Sequence, residues 1–224
     1  MNEDFDAKAL TWDDDPARID RAAVVAQRIM EAVPLDRDMD ILEFGSGTGL
    51  LGFELLPHVS SVTFADTSDG MLDRVREKLR AGRHPQGRVL RLDPDTPRLP
   101  RRYDAIVSLL TLHHIPEITP AIRLLADHLT PGGWLALCDL DTENGSFHED
   151  PAANVHHGFD RKELLAVLDQ AGLTEGRAET AYTIRTEQAG PAREYTLFLI
   201  TARRTDPRGH PWGNGRPSVG QLPT

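Results

Sequence analysis

One cysteine in 224 residues, Cys138, leaves no partner for an intramolecular disulfide and no material for a multi-cysteine zinc site. Its apolar setting, Trp134-Leu135-Ala136-Leu137, predicts an inert buried thiol rather than a nucleophile. No run approaches the roughly 18 apolar residues of a membrane span, and the opening Met1-Asn2-Glu3-Asp4 is acidic where a signal peptide is basic. A cytoplasmic protein without a membrane partner is the expectation. Positive charge is scarce: 25 Lys and Arg face 35 Asp and Glu, a formal net charge of -10. Phosphate contacts need clustered cations, so no nucleic acid is expected as a partner. Arg98, Arg101 and Arg102 form one local cluster, read as a solvated loop. Internal repeats are absent as well.

A hydrophobic fraction of 39% with 27% charged residues suits one globular α/β domain with short additions. The most informative stretch is Leu42-Glu43-Phe44-Gly45-Ser46-Gly47-Thr48-Gly49. Apolar residues lead into three glycines and an apolar helix follows, the pattern of a buried strand turning into a helix N-terminus against a nucleotide-like ligand.

Upstream, residues 1–14 are acidic and read as an irregular segment covering the site, with Phe5, Leu10 and Trp12 able to dock. Asp15-Pro16 opens a helix that Pro34 stops. Downstream, strands are predicted at 61–65, 89–92, 103–110 and 134–138, with Pro131-Gly132-Gly133 breaking the preceding helix. Between the first and second of these, Thr67 or Ser68 caps a helix that Gly82 ends. Residues 142–158 read as a long polar loop, and Asp160 caps a helix stopped by Gly172. Strands at 181–185 and 195–202 make a closing antiparallel pair. The expected organisation is an N-terminal segment over 1–14, a domain over 15–204 and a disordered tail over 205–224.

Alternating strands and helices imply a mostly parallel sheet whose ligands lie at the strand carboxyl ends. Gly45 to Gly49, Asp66, Asp93, His113 and Asp139 all fall at such ends. Asp66 stands where an acidic residue meets a ribose diol. Gly47-Thr48-Gly49-Leu50-Leu51-Gly52 also satisfies the dinucleotide-binding pattern, so an NAD(P)-dependent oxidoreductase stays open on the glycines alone.

The wider arrangement resembles the class I S-adenosylmethionine-dependent methyltransferases from about Trp12 through Ala202. The resemblance rests on the glycine stretch, Asp66-Thr67-Ser68 with Met71, the Asp93 loop ending Leu99-Pro100, Tyr103-Asp104-Ala105-Ile106-Val107-Ser108, Leu112-His113-His114 and Leu129-Thr130-Pro131-Gly132-Gly133. It implies a Rossmann-like seven-stranded sheet with helices on both faces and an antiparallel last strand. It also implies S-adenosylmethionine as cofactor, held by Glu43, Gly45, Ser46, Gly47, Gly49, Asp66, Thr67, Met71, Asp93 and Ser108. In the family, the match of Glu43 steadies the glycine loop, that of Asp66 holds the ribose, and that of Asp93 accepts from the adenine amino group. Pro94 departs from the pattern, because proline offers no backbone donor. An Asn-Pro-Pro-Tyr type tetrapeptide is missing where Ser108-Leu109-Leu110-Thr111 stands, which speaks against nucleobase or glutamine amino groups as acceptors.

A small organic acceptor methylated at oxygen or nitrogen is therefore the expectation, roofed by residues 1–20 and 142–158. Histidine is the natural general base near neutrality, and His113, His114, His156 and His157 are the candidates. Trp12, His113 and His157 are the expected acceptor contacts. The paired histidines with Asp139 or Asp141 offer a metal reading, but adjacent histidines seldom share one ion, so no metal is expected. A protein that binds the cofactor without turnover is the non-enzymatic alternative, and the sequence is silent on oligomeric state.

Overall fold

The computed structural model describes residues 5–148, 155–186 and 193–205. A four-residue helix α1 (Phe5–Lys8) and a 3-10 segment (Ala9–Asp14) lead into α2 (Pro16–Ala32). Then follow β1 (Asp40–Phe44), α3 (Leu50–Leu55), β2 (Ser61–Asp66), α4 (Asp69–Gly82), β3 (Gly87–Arg91) and β4 (Tyr103–Leu109). The chain continues through α5 (Ile118–Asp127), β5 (Leu129–Leu140), α6 (Arg161–Gln170), β6 (Leu173–Thr186) and β7 (Arg193–Arg204). The seven strands lie in the order β3-β2-β1-β4-β5-β7-β6, and β7 runs antiparallel to both of its neighbours. This is the seven-stranded mixed sheet that the resemblance implied.

Consecutive strand residues serve opposite faces, so a strand covered on both sides is apolar throughout. Ile41 packs into one core with Val25, Ile29, Phe64 and Val107. Its neighbour Leu42 packs into the other with Ile106, Ile122, Leu137 and Phe198. Pro16 at the first turn and the Asp15 carboxylate, which accepts from the Ala17 amide at 2.9 Å, start α2 as expected.

Two expectations need correction. Residues 5–14 are helical rather than irregular, because the Phe5 and Trp12 rings meet edge to face at 6.0 Å and the Arg18 guanidinium lies 4.0 Å from the Trp12 ring centre. Pro131-Gly132-Gly133 lies inside β5 and does not end a helix before it. Tyr103 pairs with Leu129 and Ala105 with Trp134, so the irregularity absorbs a proline that cannot donate to the ladder. α4 does end at Gly82, and the left-handed residue that follows is Arg83, at φ 51°, its amide donating back to Arg80 and Leu79 carbonyls. The closing pair is also longer than expected, with β6 starting at Leu173 immediately after Gly172. Residues 206–224 of the expected tail and the 187–192 connection lie outside the described residues. Among the described residues, no helix is long and apolar enough to cross a membrane.

Candidate active site

Where β1 ends, the Gly45 and Ser46 amides both donate to the Ala65 carbonyl, at 2.8 and 3.0 Å, which ties the glycine turn to β2. Gly45 has φ 68°, and a Cβ there would fall 2.1 Å from Thr111 Cγ2, so backbone and packing both demand glycine. Gly47, at φ 51°, is different: a Cβ would meet nothing nearer than Met71 Sδ at 3.9 Å. The turn is thus open on the side facing Met71, itself buried.

Two carboxylates brace this turn. Glu43 is buried and accepts from the Gly52 amide in the first turn of α3 at 3.1 Å. Burial, with the nearby Asp66 charge adding to it, pushes its pKa well above the ordinary carboxylate value. Asp66 accepts from the Gly47 amide at 2.7 Å through one oxygen and from the Ser68 amide at 2.9 Å through the other. Its pKa is also raised by burial, against those hydrogen bonds.

The other expected cofactor residues occupy varied positions. Ser46 is buried within the turn, and Thr67 is exposed beside Asp66. Ser108 is buried between β1 and β4, where its hydroxyl donates to the Phe44 carbonyl at 2.8 Å. Asp93 sits on an exposed loop and accepts from the Asp95 and Thr96 amides, which hold its carboxyl below the usual range. Arg101, from the supposed solvated cluster, pairs with Asp40 at 2.9 Å and lies over the Tyr103 ring.

The N-terminal segment seats directly on this region. Asp6 accepts from the Ser68 hydroxyl at 2.5 Å and the Gly70 amide at 2.8 Å. Asp13 accepts from the Thr48 hydroxyl at 2.5 Å and pairs with Lys78, whose Nζ also donates to the Thr48 carbonyl. Trp12, an expected acceptor contact, is half-buried under Arg18.

Beyond β4, a 3-10 turn (Leu112–His114) carries two of the expected histidines. Thr111 donates to the Gly45 carbonyl at 3.1 Å and so fastens this turn to the glycine turn. His113 is buried, and its Nδ1 lies 2.6 Å from an oxygen of the buried Asp139. That carboxylate also accepts from the Leu112 and Leu140 amides, so His113 Nδ1 is the donor in this contact and Nε2 is left for another partner. The His114 ring is 4.1 Å from that of His113, and burial lowers its pKa to about 3, with the neighbouring histidines adding to the effect. Phe5 meets His114 edge to face at 5.2 Å.

His156 and His157 are not part of this group. The His156 ring reaches the Ile115 and Pro116 carbonyls, and His157 is exposed with its ring against Gly145. Instead, His148 brings its ring to 5.1 Å from His113 and 5.4 Å from His114. The sequence set His113 and Asp139 at the same end of the sheet but did not show their hydrogen bond, and it did not single out His148. The pair depends on β4 and β5 lying side by side, and only the richness of 142–158 in His, Asn and Gly hinted at His148.

Comparison with known proteins places this geometry. The sequence model of the methyltransferase domain matches residues 42–135, from the glycine turn into β5. An uncharacterized methyltransferase of Schizosaccharomyces pombe is 33% identical over 153 residues, covering 61% of this chain and 54% of the relative. The chain spans about half the length of that relative and of a second curated one from Mycobacterium bovis. Among solved structures, an S-adenosylmethionine-dependent methyltransferase from Aquifex aeolicus shares the fold with a TM-score of 0.65 at 20% identity, over 88% of this chain and 97% of that one. These comparisons mark residues 42–135 as similar to a methyltransferase domain, and the fold is one that S-adenosylmethionine-dependent methyltransferases share. The residues present fit S-adenosylmethionine: the turn is open at Gly47 toward Met71, and Asp66 beside it retains acceptor capacity.

Proposed function

We propose that the protein methylates an oxygen or nitrogen of a small organic acceptor bound beside His113 and His114. The observation that carries this reading is the Thr111 hydrogen bond to Gly45, which holds the histidine turn against the glycine turn at one end of the sheet. S-adenosylmethionine, when bound, supplies a methyl group on a sulfonium, ready for in-line displacement. The chain's own contribution is then orientation and exclusion of water. Glu43, Gly45, Ser46, Gly47, Gly49, Asp66, Thr67 and Met71 form the donor side. Asp139 fixes the His113 ring, whose Nε2 lone pair orients the acceptor or takes its proton. The rings of Phe5 and Phe147 keep the histidine side apolar.

Isothermal titration with S-adenosylmethionine and its demethylated product tests the donor side. Gly47→Arg fills the open face of the turn, and Asp66→Ala removes the acceptor of the Gly47 amide. Each is expected to weaken cofactor binding at least tenfold, about 1.4 kcal/mol, while the circular dichroism spectrum persists. Unchanged affinity in both folded variants removes the proposed site.

A further inference from the structure

We propose that His113, His114 and His148 form a binding site for one divalent transition-metal ion, with zinc the best match. One ring nitrogen from each lies within 4.8 Å of those of the other two. A tetrahedral zinc site with bonds of about 2.0–2.1 Å needs nitrogens about 3.4 Å apart, a distance small ring rotations reach. Adjacent histidines usually diverge, but the 3-10 turn over Leu112–His114 sets these two rings side by side, 4.1 Å between centres.

The surroundings are those of a built site. Asp139 occupies His113 Nδ1 and leaves Nε2 for the ion, the carboxylate–histidine arrangement that fixes the tautomer of a metal ligand. Its carboxylate is in turn pinned by the Leu112 and Leu140 amides. The turn presenting His148 is also fixed: Glu143 accepts from the Ser146 and Phe147 amides, and Tyr195 donates to the Ser146 carbonyl at 2.8 Å. Phe147 and Phe5 pack against the histidine rings and give the cluster an apolar wall. Imidazole donors suit zinc, copper, iron and nickel over magnesium or calcium. Three ligands leave a fourth position for water or for an oxygen of the acceptor, and in the ion-loaded protein that position replaces the His113 Nε2 lone pair as the acceptor's contact.

Only that last role rests on the proposed methyl transfer, and the test separates the two. The full chain, purified without a polyhistidine tag and stripped with a chelator, is titrated with cobalt(II) and separately with zinc(II). One equivalent per chain is expected, with visible cobalt absorption of four-coordinate intensity that zinc abolishes. His148→Ala and His114→Gln should lose the absorption. Asp139→Asn should weaken binding about 10- to 100-fold with the ligands intact. No stoichiometric uptake, or an unchanged spectrum in folded His148→Ala protein, overturns the proposal. Cofactor titration of the same metal-free sample distinguishes the failures: cofactor binding without metal uptake sinks the ion site alone, and metal uptake without cofactor binding sinks the methyltransferase reading alone.

Discussion

A glutamate exposed to only 2% must either find strong donors or give up its charge, and Glu43 has the Gly52 amide in the first turn of α3. Burial outweighs that hydrogen bond, so its native pKa lies well above its ordinary value. The native state therefore holds a proton that the unfolded chain has already released. This contribution is fully present below the ordinary carboxylate pKa and is lost as pH rises toward the native one. In cofactor-free protein, Glu43→Gln keeps an oxygen for Gly52 and removes the ionisation. Thermal melts from about pH 5 to about pH 8 should show the variant's melting temperature gaining a few degrees on the wild type as pH rises. A constant difference across that range counts against the assignment. Gly45 and Asp66 were legible because their roles follow from their own backbone and near sequence. The pairing of His113 with Asp139 was not, since 26 positions separate them and strand order alone brings them together.

Elements were readable where a single side chain decides their ends. Ser68 accepts from the Met71 amide at 3.1 Å and starts α4, and Asp160 accepts from Lys162 and Glu163 amides at 2.8 and 3.0 Å and starts α6. Both are N-caps that short polar residues announce before an apolar stripe. Asp160→Ala should cost about 1 kcal/mol, read as a fall of about 2–4 °C in melting temperature, with cofactor affinity unchanged. Reading failed where the deciding partner was remote. The helices over 5–14 depend on ring contacts and on bonds from Asp6 and Asp13 to residues of the glycine turn and α4, which an acidic composition conceals. The proline and paired glycines of β5 look like a break until the neighbouring β4 supplies the register that accommodates them. Gly133 sits so close to the Thr130 and Asp104 carbonyls that a Cβ would meet them at 2.9 and 3.0 Å.

At the scale of the molecule, the order β3-β2-β1-β4-β5-β7-β6 reverses direction between β1 and β4. In open α/β sheets ligands bind at such a reversal, and the glycine turn, Asp66 and the histidine turn all follow the carboxyl ends of the strands around it. The alternation of apolar strands and helices was enough to anticipate this layout, and the antiparallel closing pair was legible in its spacing. What the pattern did not show is how far β6 and β7 extend, because their outer residues are polar and are held by pairing along the register from Leu173–Arg204 to Thr186–Arg193.

The position of β7 has a consequence for the order in which the protein can be made. Of the described strands it leaves the ribosome last, yet it is an interior strand, pairing with β5 on one side and β6 on the other. Until residues 193–204 emerge, β5 has an open edge and β6 has no partner in the sheet, so the nascent chain waits with unpaired backbone and uncovered apolar residues. A chain stopped after residue 186 should then be recovered as aggregate or chaperone-bound material, whereas one ending after residue 205 should be monodisperse with a cooperative melt. Size-exclusion chromatography of the two expressed side by side reads the difference, and a folded shorter chain refutes it. The growing protein must keep a gap in the middle of its sheet for the final piece.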